Sequence, residues 1–178
     1  MGDNRYLIPR LVLDASPLIY LAKLAALDVL STVTGEALVR PTVLEEVTRP
    51  QLAYRHPDAV EIEQAVANGL IHVWELDDDE RTLAADFTRR VPGLHHGEAE
   101  VLALAVSRSV AVVIFERQAR RVARTLGAEL VDVVELLVAG TPEQELREDR
   151  VIRFARLVNM RFDHVAQLLA RLGSRRVI

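Results

Sequence analysis

Short apolar runs alternate with amphipathic stretches along most of this chain, and that alternation is the feature that most narrows the folds open to it. Leu11 to Leu13 is an apolar run that ends at Asp14, and VAVVIF, Val110 to Phe115, is apolar throughout. An unbroken β-branched run of that kind is typical of a strand covered on both faces. After Asp14, Ser16 and Pro17 open LIYLAKLAALDVL, whose apolar residues recur at helical spacing. Ser at the N-cap followed by Pro at the first helical position is the expected opening. Ala37 to Val39 reads as a second strand running into Pro41, and TVLEEVTRP as a brief helix stopped by Pro50. Arg49 to Pro57 reads as a loop. Asp58 to Asn68 is amphipathic and closed by Gly69, and IHVWEL alternates as a third strand that breaks at the acidic run Asp77 to Glu80. Glu80 to Val91 is a predicted helix broken by Pro92 and Gly93. HHGEAEVLALAVSRS then begins an Ala- and Leu-rich helix whose interior calls for burial. After VAVVIF come ERQARRVARTLG, a helix ending at Gly127, and AELVDVVELLVAG, a last short strand and helix.

Parallel neighbours need crossover connections, and those are normally helical. The expectation is therefore an α/β fold, a central parallel sheet of four to five strands with helices on both faces. A chain of 178 residues, half of them hydrophobic, is large enough for one well-filled core. The strand–helix pattern occupies residues 1–140. Residues 141–178 read as two amphipathic helices, TPEQELREDRVIRFARLVNM and RFDHVAQLLARLG, packed on the same domain or offering a dimer surface.

Composition removes several kinds of chemistry. With no Cys there is no disulfide framework, thiolate zinc site or thiol nucleophile. A net charge of −4 rules out a globally basic nucleic-acid binder, so any such contact must be local. No apolar run approaches the roughly 20 residues that span a bilayer, and MGDNRYLIPRLVLDAS has no apolar leader segment. The expectation is a cytoplasmic protein without a membrane segment.

Functional residues of an open parallel sheet collect at the carboxyl ends of its strands. Asp14 stands at the end of the first, placed either to hold a cation or to serve as a turn or cap residue. Glu45 and Glu46 follow the second strand, and only one of two adjacent helical residues can face a site; Glu46, between Val43 and Val47, is the candidate. Glu98 lies in the first turn of an otherwise apolar helix and needs a partner or a cation. Glu100 projects elsewhere and reads as a surface or supporting group, and His95 and His96 as loop histidines. Beyond Phe115 and Glu116, Arg117, Arg120, Arg121 and Arg124 make one helical stripe. It could grip phosphates or be a solvated face.

Together LVLDASPLIYLAKL, RPTVLEEV, GLHHGEAEVLALA and VIFERQARRVARTLG resemble the PIN domain family, and in particular a bacterial subfamily described as predicted nucleic-acid-binding proteins. The resemblance covers Leu11 to Gly127 and implies a three-layer fold and metal-dependent ribonuclease activity. It puts the first three family acids on Asp14, Glu46 and Glu98, with Ser16 supporting Asp14. The fourth position, commonly Asp, is Phe115 here, and Glu116 beside it is the substitute candidate. The implied mechanism has carboxylates, Asp14, Glu98 and Glu116, holding Mg²⁺ or Mn²⁺, Glu46 positioning water, and Arg120 steadying the helix end or the scissile phosphate. The implied partners are RNA, an antitoxin protein if the chain is the toxin of a toxin–antitoxin pair, and a second copy in a homodimer. Two other readings compete: a catalytically degenerate PIN-like module that binds nucleic acid or protein, and a receiver-like switch phosphorylated on Asp14. The latter calls for a Lys near the last strand, whereas Lys23 lies in the first helix.

Overall fold

The structure is a computed structural model that describes residues 8–49, 57–161, 163, 165–167 and 170. Among these residues four strands form one sheet: β1 (Ile8–Leu13), β2 (Thr34–Val39), β3 (Ile71–Val73) and β4 (Ala111–Val113). Their order is β3-β2-β1-β4 and every neighbouring pair is parallel, with Leu11 level with both Ala37 and Ala111. Helices α1 (Ala15–Lys23) and α2 (Val29–Val33) join β1 to β2, and α3 (Pro41–Val47) and α4 (Pro57–Ala67) join β2 to β3. Helices α5 (Asp78–Arg90) and α6 (His96–Arg108) lead to β4, and α7 (Arg117–Thr125), α8 (Val133–Gly140) and α9 (Gln144–Leu157) follow it.

Right-handed crossovers decide which face each helix covers. The chain steps in one direction from β1 to β2 to β3, which assigns α1 to α4 to one face. The return past both strands to β4 assigns α5 and α6 to the other. The packing agrees, since α1 meets α3 and α4, while α5 lies against α6 and α6 against β1 and β4. Leu11, Val12 and Leu13 are consequently all fully buried despite pointing to alternate faces. The expected α/β architecture is thus the one observed.

The fifth strand shrinks to a single bridge. Leu130 pairs with Val112, the Val112 N–H donates to the Glu129 carbonyl at 2.8 Å and the Val131 N–H to the Val112 carbonyl at 3.0 Å. The first helix also differs from expectation. It begins at Ala15 with an extended Asp14 as N-cap, so Ser16 lies inside its first turn rather than capping it. It stops at Lys23, because Ala25 turns into the left-handed region at φ 48°, and LIYLAKLAALDVL divides into α1, a turn and α2. Apolar periodicity runs straight through because the turn is itself buried, at Leu24, Ala26 and Leu27.

Helix α9 docks through a buried cation. Arg150 donates to Thr141 Oγ1 at 2.9 Å, to Asp28 Oδ1 at 2.8 Å and to the Ala25 carbonyl at 3.1 Å. Val151, Phe154 and Ala155 on the same helix are buried, so this stretch of its apolar face is used within the chain. Most of the predicted Arg49–Pro57 loop and most of the final predicted helix lie outside the described residues. Among the described residues no helix is long and apolar enough to cross a membrane.

Candidate active site

Strand order reverses at β1: β2 lies on one side and β4, reached last, on the other. Such a switch opens a crevice beyond the carboxyl ends of the two diverging strands. The Asp14 N–H donates to the Val113 carbonyl at 3.0 Å, which ties the end of β1 to the end of β4 at that crevice. The Asp14 side chain is buried at 7% exposure and makes no capping bond to its own helix. Burial pushes its pKa from 3.8 up to about 6; the Ala15 amide partly offsets this, and the charges of Glu98 and Glu46 add to it.

Glu98 arrives from the opposite layer in the first turn of α6. Its Oε2 accepts from the His95 N–H at 2.9 Å, a contact that fixes the side chain over the helix start. Its carboxyl is also raised, by burial first, with the charges of Glu116 and Glu46 acting in the same direction against the His95 amide. Glu46 is exposed on α3 yet close enough to act on both acids. Four acids from four separate segments therefore share one electrostatic neighbourhood.

Glu116 plays a second part. Its carboxylate caps α7, accepting from the backbone N–H of Gln118 and, at 2.9 Å, of Ala119. That bond holds it at the crevice rim and engages Oε2. Phe115, exposed at 40%, meets Tyr20 edge to face at 5.1 Å, and both rings meet Phe154 of α9, at 6.4 and 5.8 Å. Ser16 is half-buried in the first turn of α1.

The Arg stripe divides. Arg120 is tied down, its Nη1 donating to the Ile114 carbonyl at 3.1 Å and pairing with Asp132 at 2.8 Å. It steadies the start of α7 and is not free to reach a phosphate. Arg117, Arg121 and Arg124 are exposed, and among the described residues none of them forms an ion pair.

Of the two readings of Glu100, a surface or a supporting group, its burial excludes the first and its contacts fit the second. It accepts from Thr42 Oγ1 at 2.5 Å, lies 3.2 Å from His96 Nε2 and faces Arg40 Nε at 3.6 Å. Arg40 is itself buried, with Nε and Nη1 lacking hydrogen-bond partners among the described residues, and burial lowers its pKa against the pull of Glu100. The group fastens α3, which carries Glu46, to α6, which carries Glu98. The i,i+4 spacing of His96 and Glu100 was the available signal, because the helix begins at His96 and is not preceded by a loop through that residue.

Among the described residues no three His, Asp or Glu side chains stand close enough to enclose an ion. An ion here would have two carboxylates as ligands and water completing its shell, an arrangement magnesium commonly adopts. No curated protein matches the chain. A family model for the PIN domain matches residues 10–171, from β1 through α9 and beyond. Members of this family are nuclease-like modules that generally use divalent metals. With that match and a sheet of the corresponding kind, the chain belongs to the PIN domain family.

Proposed function

We propose that this protein is a ribonuclease that hydrolyses phosphodiesters with Mg²⁺ or Mn²⁺ held by Asp14 and Glu98. One observation carries the reading: the buried Asp14 carboxylate, raised to about 6, shares its surroundings with Glu98 and Glu46 and makes no capping bond. Such a group is stabilised by a cation, and an all-oxygen donor set without thiolates suits a hard one. When bound, the ion would activate a water and offset charge on the phosphate. The remaining work falls to the chain. Asp14 and Glu98 would fix the ion at the crevice, Glu98 oriented by the His95 N–H at the start of its helix. Glu46, exposed and acting through its charge on both, would orient the attacking water and take its proton. Glu116 keeps one oxygen outside its capping bonds and would receive a water of the ion's shell, with Ser16 supporting Asp14. Arg117, Arg121 and Arg124 would guide the RNA backbone.

Cleavage of single-stranded RNA with added Mn²⁺ tests this. Asp14→Asn and Glu98→Gln should each slow it by at least about 100-fold, beyond the 10–100-fold typical of losing only a supporting partner. Absence of cleavage by the wild type, or an Asp14→Asn protein that cleaves equally, removes the proposal. Phe115, in place of the family's acid, favours a second reading as a non-catalytic binding module. RNA binding that needs no metal and is lost in Arg117→Ala/Arg121→Ala, without any cleavage, would establish it.

The biological setting we infer is the toxin of a toxin–antitoxin pair, acting in the cytoplasm as a homodimer. Co-expression with the product of an adjacent small reading frame should relieve growth inhibition. Inhibition that persists unchanged would exclude that frame as the antitoxin.

A further inference from the structure

Phe115 is a large apolar side chain with 40% of its surface open, two residues beyond the end of β4. Single exposed hydrophobic residues are ordinary, but this one is surrounded by features of the site. Two residues before it, Val113 holds the Asp14 amide; the next residue is Glu116, whose charge acts on Glu98. One residue further begins the exposed stripe of Arg117, Arg121 and Arg124. Its ring is held rather than loose, because Tyr20 and Phe154 both approach edge to face, at interplanar angles of 75° and 90°. Neither neighbour lies parallel on it. An aromatic ring so held, partly open, and followed directly in the chain by Glu116 and the exposed Arg117, Arg121 and Arg124 has the make-up of a base-stacking platform.

We propose that Phe115, supported by Tyr20 and Phe154, stacks an unpaired nucleobase of the strand whose phosphate lies at Asp14 and Glu98. This rests on the ribonuclease reading and assigns to it the residue that would take a base, an unpaired one since the bases of a duplex are already stacked on one another and cannot also lie on the ring. The platform also gives Phe115 a function at a position where an acid would otherwise stand, and ties helix α9, through Phe154, to substrate selection.

The test separates binding from hydrolysis. A short single-stranded oligoribonucleotide carrying a fluorescent adenine analogue, whose emission falls when it stacks, is titrated in EDTA with the full chain. Wild type and Phe115→Trp should quench the probe. Phe115→Leu, with Phe115→Thr as a second variant should the first not fold, should leave it bright and bind on the order of tenfold more weakly. The same sequence as a duplex should bind wild type and Phe115→Leu alike. Wild-type binding without quenching, equal quenching by Phe115→Leu, or no binding at all overturns the platform. Cleavage with Mn²⁺ is measured separately, so a protein that cleaves without quenching refutes the stacking and leaves the nuclease reading standing.

Discussion

Replacing Asp14 by Asn should make the metal-free protein more stable at alkaline pH, an unusual direction for a substitution in a buried site. The native carboxyl has its pKa raised from 3.8 to about 6. A raised pKa in the folded state means that folding favours the protonated form. Its contribution is fully present below about 3.8 and is lost as pH rises through about 6. With about 1.4 kcal/mol for each pH unit between the two values, the folded state at pH 8 carries a penalty of about 3 kcal/mol. Asn keeps the shape, cannot ionise, and also relieves Glu98 of one repelling neighbour. Urea denaturation in EDTA should therefore place Asp14→Asn about 3 kcal/mol above wild type at pH 8 and level with it near pH 4. In melting temperature the gain amounts to roughly 6–12 °C for a chain of this size. Saturating Mn²⁺, at about 100 times its dissociation constant, should add about 2.7 kcal/mol to wild type and little to the variant. A variant destabilised equally at both pH values would mean that Asp14 is an ordinary turn residue, and the reasoning would fail.

Gly140→Ala should destabilise by about 1–3 kcal/mol in the same assay, because an added Cβ would meet Val29 Cβ at 2.4 Å and its Cα at 2.8 Å; an unchanged midpoint would show that α2 and α8 can separate freely. Ala25→Gly should stabilise by about 0.5–1 kcal/mol, since Ala25 sits at φ 48° at the end of α1, where glycine has no Cβ penalty. Arg150→Ala should cost about 2–3 kcal/mol and expose α9 to early hydrogen exchange, by leaving Thr141 and the Ala25 carbonyl without their donor. The Glu80 carboxyl, held down to about 2 by Arg108, the Asp77 amide and Ser107 despite burial, contributes stability above about 4.5 that is lost as pH falls toward 2. Glu80→Gln should accordingly flatten the acid limb of a stability–pH curve.

The architecture could be read from residues because its determinants are local in the chain. Leu11 to Leu13 and VAVVIF have no polar alternate to face water, and helical stretches separate the strands, so a parallel sheet covered on both faces was the economical solution. Asp14 was legible for the same reason: a strand end marks the functional rim whatever residue stands there. Boundaries were less legible where the tertiary environment overrides local signals. Ser16 and Pro17 have the chemistry of a helix opening, yet the helix starts at Ala15 because Asp14 is already extended and tied to β4. Sequence left Glu100 open between a surface and a supporting role, because its partners Arg40 and Thr42 come from another connection and are brought to it only by folding. The division of the Arg stripe was hidden likewise. Periodicity puts Arg120 beside Arg117 and Arg124, but Asp132 and the Ile114 carbonyl, which claim it, are positioned only by folding.

The claim beneath the whole account is that one cation sits between β1 and α6, and anomalous diffraction from crystals grown with Mn²⁺ addresses it directly. The expected result is a single peak within coordination distance of an Asp14 oxygen and a Glu98 oxygen, absent from Asp14→Asn crystals. A peak elsewhere, or none at saturating Mn²⁺, would contradict it.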